Sequence, residues 1–185
     1  MTNQPQKGHL LVAEPSILGD VSFTRSVILL AECSQAGAVG FIMNKPLEFT
    51  LQDLIPEMES SITIYNGGPV EQDNLYFIHT VPELISNSME ISNGIYWGGD
   101  FETTRQLVQT GIISDTQIRF FLGYSGWETN QLKSELDSGS WFLTENQLKQ
   151  NLIRFDLSNY WKQKMTELGG DYLIWSNAPE NPLLN

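Results

Sequence analysis

The stretch Ser26-Val27-Ile28-Leu29-Leu30-Ala31-Glu32 is followed, five residues later, by Ala38-Val39-Gly40-Phe41-Ile42-Met43. Both are short apolar runs rich in Val, Ile and Phe, and such runs bounded by turn residues predict buried strands. Gly37 precedes the second run, and Asn44-Lys45-Pro46 predicts the turn that ends it. The fold is therefore expected to contain a β-sheet with these two runs among its strands.

Shorter strand-like and helix-like runs alternate on both sides of this pair. Further strands are predicted at Leu10–Ala13, Ser61–Tyr65, Asn74–Thr80, Ser88–Ile91, Ile95–Trp97, Gln117–Leu122, Ser140–Leu143 and Asp171–Trp175. Helices are predicted at 51–54, at 101–110 after an Asp100 N-cap, at 130–136, and from a Ser158 cap to Leu168. Since hairpin turns such as Asn93-Gly94 occur beside crossover helices, the pattern disfavours a purely parallel sheet. We expect an α+β fold, with a strongly bent mixed sheet flanked by helices, as one domain over residues 1–185 with its core at about 8–176.

Several classes of protein are disfavoured by composition. The longest wholly apolar run is Val27–Ala31, far below the ~20 residues of a membrane-spanning helix, and no signal-peptide core follows the polar N-terminus. The single cysteine, Cys33, has no partner for an internal disulfide, which favours a cytoplasmic location. The chain has two histidines, His9 and His79, and neither is close in sequence to the other or to Cys33. No spacing typical of zinc ligands therefore exists, and we predict no metal and no cofactor. The composition does not exclude a Mg²⁺ site built from carboxylates that are distant from one another in sequence.

The charge of the chain is strongly acidic and unevenly distributed. The net charge is −12, and no Lys or Arg occurs in the 59 residues between Lys45 and Arg105, which hold ten acidic residues. Because nucleic-acid binding depends on Lys and Arg that neutralise phosphates, direct DNA binding is disfavoured, and an RNA-associated factor would need a basic surface that this composition hardly permits. The acidic segment is interpreted as a solvated face or as a docking surface for a basic partner.

The segment Phe121-Leu122-Gly123-Tyr124-Ser125-Gly126-Trp127 invites comparison with the nucleophile elbow Gly-x-Ser-x-Gly. Here Gly126 follows the serine directly, and Trp127 stands where the elbow needs a small residue. No histidine follows Ser125, so the order Ser…Asp…His is absent. We therefore predict no catalytic residue here and interpret the segment as a tight turn whose Trp127 fills the core.

An enzymatic alternative is a small hydrolase that uses His79 with nearby carboxylates such as Asp100 or Asp115. A pocket that joins His79 to two carboxylates would favour this alternative, whereas a fully buried or isolated His79 would disfavour it. Cys33 has no basic neighbour to lower the pKa of its thiol, so it is expected to be inert.

Six motifs follow one another along the chain: Gly8-His9-Leu10-Leu11-Val12-Ala13-Glu14-Pro15, Phe23-Thr24-Arg25-Ser26-Val27-Ile28-Leu29-Leu30, Gly37-Ala38-Val39-Gly40-Phe41-Ile42-Met43-Asn44-Lys45-Pro46, Gly67-Gly68-Pro69-Val70, Ile95-Tyr96-Trp97-Gly98-Gly99-Asp100 and Gly123-Tyr124-Ser125-Gly126-Trp127. Taken in this order, they resemble the YqgE/AlgH family of bacterial proteins. The chain departs from the family pattern at Lys45, where members usually have arginine, and at Thr129-Asn130, where they usually have Pro-Gly. Many members have alanine at the Ser125 position, which argues against a serine nucleophile.

The resemblance implies a compact α/β domain whose bent mixed sheet closes toward a barrel and is packed by helices. Family members are described as candidate transcriptional regulators or as uncharacterised proteins. We accordingly expect a cytoplasmic, non-enzymatic regulatory protein that binds a protein partner or small ligand and affects transcription only indirectly. The expected ligand surface comprises the turns with Arg25, Asn44, Lys45, Gly67, Gly68, Gly123, Tyr124, Ser125, Gly126 and Trp127, where Arg25 and Lys45 supply positive charge.

Overall fold

The fold is built around a ten-stranded sheet with six α-helices, in a computed structural model that describes residues 4–16 and 21–179. The strands are β1 (His9–Ala13), β2 (Val27–Ser34), β3 (Gly37–Ile42), β4 (Pro46–Thr50), β5 (Thr63–Asn66), β6 (Val70–His79), β7 (Met89–Ser92), β8 (Ile95–Trp97), β9 (Ile118–Glu128) and β10 (Trp141–Glu145). The helices are α1 (Leu51–Leu54), α2 (Phe101–Gln109), α3 (Gln131–Asp137), α4 (Asn151–Arg154), α5 (Tyr160–Leu168) and α6 (Tyr172–Asn177). Short 3₁₀ turns lie at Val21–Phe23 and Pro56–Met58.

The strands lie in the order β10-β1-β2-β3-β9-β6-β8-β7, and β5 pairs with β4 and β9 beside this path. All pairs are antiparallel except β5 with β9, which is parallel. The α+β prediction with a mixed sheet is thereby confirmed. Closure toward a barrel is not observed, because β10 and β7 end the path and do not pair with each other.

Strand β9 is the longest strand and joins the two halves of the sheet. Its first half pairs with β5 and β6, and its second half pairs with β3. The tight turn expected at Gly123–Trp127 is therefore wrong, since this segment continues β9. The glycines act inside the strand instead. Gly123 has a φ of +69° and lies between the part of β9 that pairs with β5 and β6 and the part that pairs with β3.

Buried apolar side chains form three clusters around the sheet. One cluster lies under α4 and α5 and includes Phe41, Phe121 and Trp161. A second lies under α1 and α2 and includes Phe120. The third lies under α3 and includes Trp127, so the expectation that this side chain fills the core is confirmed.

A capping side chain explains where α2 begins, but not where α5 begins. The Asp100 carboxylate accepts a hydrogen bond of 2.7 Å from the Thr103 amide, which confirms the predicted N-cap of α2. Hydrogen bonds from the Thr103 side chain and from its amide lower the pKa of Asp100. The predicted Ser158 cap is wrong, because the Ser158 hydroxyl donates to Asp156 and the N-cap position of α5 is Asn159.

The C-terminal strand expected at Asp171–Trp175 is also wrong, because these residues enter helix α6. Its side chains Leu173, Ile174 and Trp175 are substantially exposed, so a run that resembles a half-buried strand occupies a helix surface instead. Short apolar runs do not distinguish strand from helix by periodicity. This segment forms a helix although its Tyr172 ring packs against Phe142 of the edge strand β10, with ring centroids 5.3 Å apart.

Candidate functional site

The Gly67-Gly68 turn, which is expected to bind ligand, packs directly against Gly123 and Tyr124 of β9. The amide of Gly67 donates to the Leu122 carbonyl at 2.8 Å, and the Ser125 hydroxyl donates to the Gly67 carbonyl at 3.0 Å. A Cβ on Gly67 would overlap the carbonyl oxygen of Gly123, and one on Gly68 would overlap the Tyr124 carbonyl. These glycines therefore allow the backbone of the 66–69 turn to approach β9 closely, which leaves no ligand space between them.

The Asn44-Lys45 turn lies beside the same crossing. The Asn66 amide donates to the Lys45 carbonyl at 2.9 Å, so the three predicted turns are neighbours. The Asn44 side chain accepts from the Val27 amide and donates to the Arg25 carbonyl, at 2.8 and 2.9 Å. It thereby holds the start of β2 against the end of β3.

The two positive charges proposed for this surface contact backbone carbonyls. Lys45 Nζ donates to the Ser22 carbonyl at 2.8 Å. The Arg25 guanidinium donates to the Ala178 carbonyl at 2.6 Å and lies 5.1 Å from the Trp161 ring. Both cations therefore link separate chain segments through hydrogen bonds to backbone carbonyls, which is a structural role that requires no ligand.

His79 is completely buried and both ring nitrogens have backbone partners. Its Nε2 lies 3.1 Å from the Gly98 carbonyl oxygen, and its Nδ1 accepts from the Val81 amide at 3.2 Å. Burial lowers the pKa of His79, so the neutral imidazole is the favoured form. No hydrogen bond joins this ring to a carboxylate or to Ser125 within residues 4–16 and 21–179, so the described structure assembles no catalytic triad.

Sequence reasoning missed a small polar cluster next to Tyr124. The Tyr76 hydroxyl and the Asn74 amide both donate to the Glu71 carboxylate, and the Tyr76 and Tyr124 rings meet edge to face at 5.6 Å. Burial and this hydrogen bond raise the pKa of Tyr76, while the two donors lower the pKa of Glu71. Sequence gives little signal for the cluster, because the β6 irregularity between Val70 and Leu75 sets it up.

Trp127 belongs to an aromatic cluster rather than to an exposed binding surface. Its indole N–H and that of Trp141 both donate to the same Glu135 oxygen, each at 2.8 Å. The two rings meet edge to face at 6.0 Å, and Phe23 contacts both. Glu135 therefore fixes α3 over β9 and β10.

A groove of about 720 Å³ runs along β10, and none of the predicted ligand residues lines it. It lies within the ~300–1,000 Å³ usual for ligand sites. The lining residues are His9, Val12, Leu136, Asp137, Trp141, Phe142, Leu143, Thr144, Glu145, Gln147, Lys164, Glu167 and Leu168. They come from β1, α3, β10, the turn that follows β10 and α5, which no short sequence motif connects.

The charges that line the groove are mostly negative. Asp137, Glu145 and Glu167 face one cation, Lys164, whose Nζ lies 2.7 Å from a Glu167 oxygen. Nδ1 of His9, which also lines the groove, is buried and has no hydrogen-bond partner in the described part of the chain. The groove therefore combines apolar walls with an acidic rim.

Three further features bear on the functional class. No cluster of three or more His, Cys, Asp or Glu side chains positioned for a metal ion occurs in the described ranges 4–16 and 21–179. The Cys33 thiol is half-buried and lies 3.4 Å from the Pro5 carbonyl oxygen, and burial raises its pKa, which disfavours a reactive thiolate. Among the described helices, none has the length and apolar character to cross a membrane.

Two solved structures share the fold. A crystal structure of the protein DIP2367 from Corynebacterium diphtheriae superposes with a TM-score of 0.71 at 23% identity, over 95% of this chain and 93% of that one. The solution structure of AlgH from Pseudomonas aeruginosa has a TM-score of 0.69 at 24% identity, over 94% of each chain.

Sequence comparison identifies the family. A UPF0301 protein of Chlorobaculum parvum is 37% identical over 179 residues, which cover 96% of this chain and 95% of that protein. A UPF0301 protein of Bacteroides fragilis is 39% identical over 183 residues, which cover 98% and 92%. The family model described as AlgH-like, DUF179, matches residues 10–173, as the ordered motifs predict. The chain therefore belongs to the AlgH-like family of UPF0301 proteins.

Proposed function

We propose that this chain is a non-enzymatic regulatory protein that acts in the cytoplasm by binding a partner in the groove along β10. The groove itself is the observation that carries the proposal, because it combines apolar walls, an acidic rim and the unpartnered Nδ1 of His9 at one place. Any effect on transcription would pass through the bound partner, since the acidic charge of −12 opposes direct contact with nucleic acid.

The chemistry-bearing side chains support binding rather than catalysis. Ser125 is fully buried and donates to a backbone carbonyl, and His79 is buried with both nitrogens engaged. A nucleophile and a general base must reach a reacting atom, and neither of these groups is presented to the groove. The His79 hydrolase therefore has no specific observation in its favour.

Native mass spectrometry of the tagged protein, isolated gently from its own cells, tests the proposal. Gln147 is an exposed residue that lines the groove, whereas Gln109 is an exposed residue on α2 outside it. The variant Gln147→Trp should lose a non-covalent adduct or stoichiometric partner that wild type and the matched control Gln109→Trp both retain. A bare mass for the wild-type protein, or an adduct equally present in all three proteins, would contradict binding in the groove.

A further inference from the structure

Strand β10 is an edge of the sheet that is paired on one side only. Its residues pair with β1 in an unbroken antiparallel register from His9–Glu145 to Ala13–Trp141, and no other described strand pairs with β10. Such an edge presents a row of backbone N–H and C=O groups that another strand can bind.

The direction of these groups follows from alternation along the ladder. The Glu14 amide donates to the Ser140 carbonyl, so this opposed pair is a hydrogen-bonded one. Because hydrogen-bonded pairs alternate in an antiparallel ladder, Phe142 and Thr144 bond to β1, while the backbone groups of Trp141, Leu143 and Glu145 point to the open edge. The Glu145 carbonyl accepts from the Gln147 amide at 3.0 Å, which caps the end of the open segment.

Two helices flank this open edge. Leu136 and Asp137 of α3 line the groove, as do Lys164 and Leu168 of α5. The groove is therefore a slot with a strand edge along it and a helix on either side. An extended segment fits this slot, because it satisfies the backbone groups at the edge while its alternate side chains face the two helices.

The edge lacks the features that usually prevent strand addition. The strand reads Trp141-Phe142-Leu143-Thr144-Glu145, without proline or lysine, and its register has no bulge. Its only charge, Glu145, is negative, like Asp137 and Glu167 on the rim. A second copy would bring the same acidic rim against this one, whereas a basic segment would neutralise it.

We propose that the slot between α3 and α5 takes an extended basic segment of a partner protein, which adds to β10 as a further strand. This inference rests on the proposed function and specifies its partner. Backbone hydrogen bonds to Leu143 and its neighbours supply affinity, and Lys or Arg side chains opposite Asp137, Glu145 and Glu167 supply selectivity.

A random linear peptide library displayed on phage is the probe, selected against the wild-type protein. The selected peptides should be rich in Lys and Arg, and their binding should weaken as salt rises, since the rim charges are exposed to solvent. On binding, the backbone amides of Leu143 and Glu145 should become protected from hydrogen exchange. The Leu11 amide, which faces β2 inside the sheet, is the internal reference that should not change.

Leu143→Pro removes a backbone amide that faces the open edge and leaves the hydrogen bonds between β10 and β1 intact. It should therefore weaken peptide binding at least about tenfold. Leu143→Ala keeps that amide and is the control, which should bind the peptide more tightly than the proline variant. If circular dichroism shows that Leu143→Pro does not fold, the double variant Asp137→Asn with Glu145→Gln serves instead. It should weaken binding roughly 2- to 30-fold at low salt and reduce the salt dependence.

The inference is overturned if no peptide is selected, if the selected peptides are acidic or uncharged, or if they leave the Leu143 and Glu145 amides unprotected. It is also overturned if light scattering shows a dimer of this chain that Leu143→Pro abolishes, because a second copy would then be the occupant. The two proposals fail under different results. A small-molecule adduct that Gln147→Trp removes would support groove binding and exclude strand addition, whereas a bare mass for the wild-type protein would contradict the proposed function itself.

Discussion

Replacing Glu135 with alanine removes a carboxylate that accepts hydrogen bonds from two tryptophan side chains. The indole N–H groups of Trp127 and Trp141 are each 2.8 Å from the same Glu135 oxygen, and both rings are only 5% exposed. A buried donor left without an acceptor costs about 1–3 kcal/mol. Two such donors, with partial relief from water that enters beside α3, give an expected loss of about 2–4 kcal/mol in the free energy of unfolding.

Urea unfolding followed by circular dichroism measures this loss directly. For a chain of this size each kcal/mol shifts Tm by about 2–4 °C, so the alanine variant should melt roughly 4–16 °C lower. Glu135→Gln keeps an acceptor oxygen and should lose about 1 kcal/mol or less. Glu128, an exposed carboxylate beside Trp127, is the matched control, and Glu128→Ala should change stability by under about 0.5 kcal/mol. Equal stability of Glu135→Ala and Glu128→Ala would refute the assignment of Glu135 as the acceptor that holds α3.

Three further predictions concern buried groups that the fold uses. Arg119 donates to the carbonyls of Met43, Ile153 and Phe155, so Arg119→Met should cost about 3 kcal/mol in urea unfolding. Arg105, whose side chain is 30% exposed and pairs with Glu102, is the control, and Arg105→Met should cost under about 1 kcal/mol; similar losses would argue against this role of Arg119. Burial holds the pKa of folded His79 below its ordinary 6.5, so the unfolded chain takes the proton first and stability falls as pH drops from about 7 to about 5. His79→Gln should reduce that fall in urea titrations at the two pH values, and an unchanged pH dependence would contradict it. A Cβ at Gly67 would overlap the Gly123 carbonyl, whereas one at Gly126 comes no nearer than 3.3 Å to a Tyr124 ring carbon. Gly67→Ala should therefore unfold or lose more than about 3 kcal/mol and Gly126→Ala about 1 kcal/mol or less, and equal thermal melts would refute the close-approach argument.

The parts of the fold that sequence predicts are those with strong local signals. Strands β2 and β3 follow from their apolar runs, and the start of α2 follows from the Asp100 cap. Helix α6 was expected as a strand, because a short apolar run has the same composition in either state and only the available neighbours decide between them. The continuation of β9 through Gly123 was missed for a related reason: the glycine permits a φ of +69° inside a strand as readily as in a turn.

The candidate site was harder to predict than the fold. Sequence reasoning did bring the Asn44, Gly67 and Gly123 segments into one group, and they are neighbours in space. Yet their polar atoms bond to each other and to backbone. The groove along β10 was missed entirely, because its lining residues come from four elements and its most distinctive feature is an unpaired backbone edge. A backbone N–H is present at every non-proline position, so no residue type marks it.

This difference explains why the sequence motifs and the structure favour different parts of the molecule for recognition. Glycines, a buried serine and a buried histidine stand out in a sequence because few structural contexts require them, and here the required context is close packing around β9. A group already bonded within the fold must break that bond before it can bind a partner, which costs about as much as the new bond returns. The backbone groups of Leu143 at the open edge of β10 carry no such cost, because they exchange only water for a partner. Recognition is therefore expected where the fold leaves backbone groups unpaired between two helices, and the acidic rim around them favours a basic segment there.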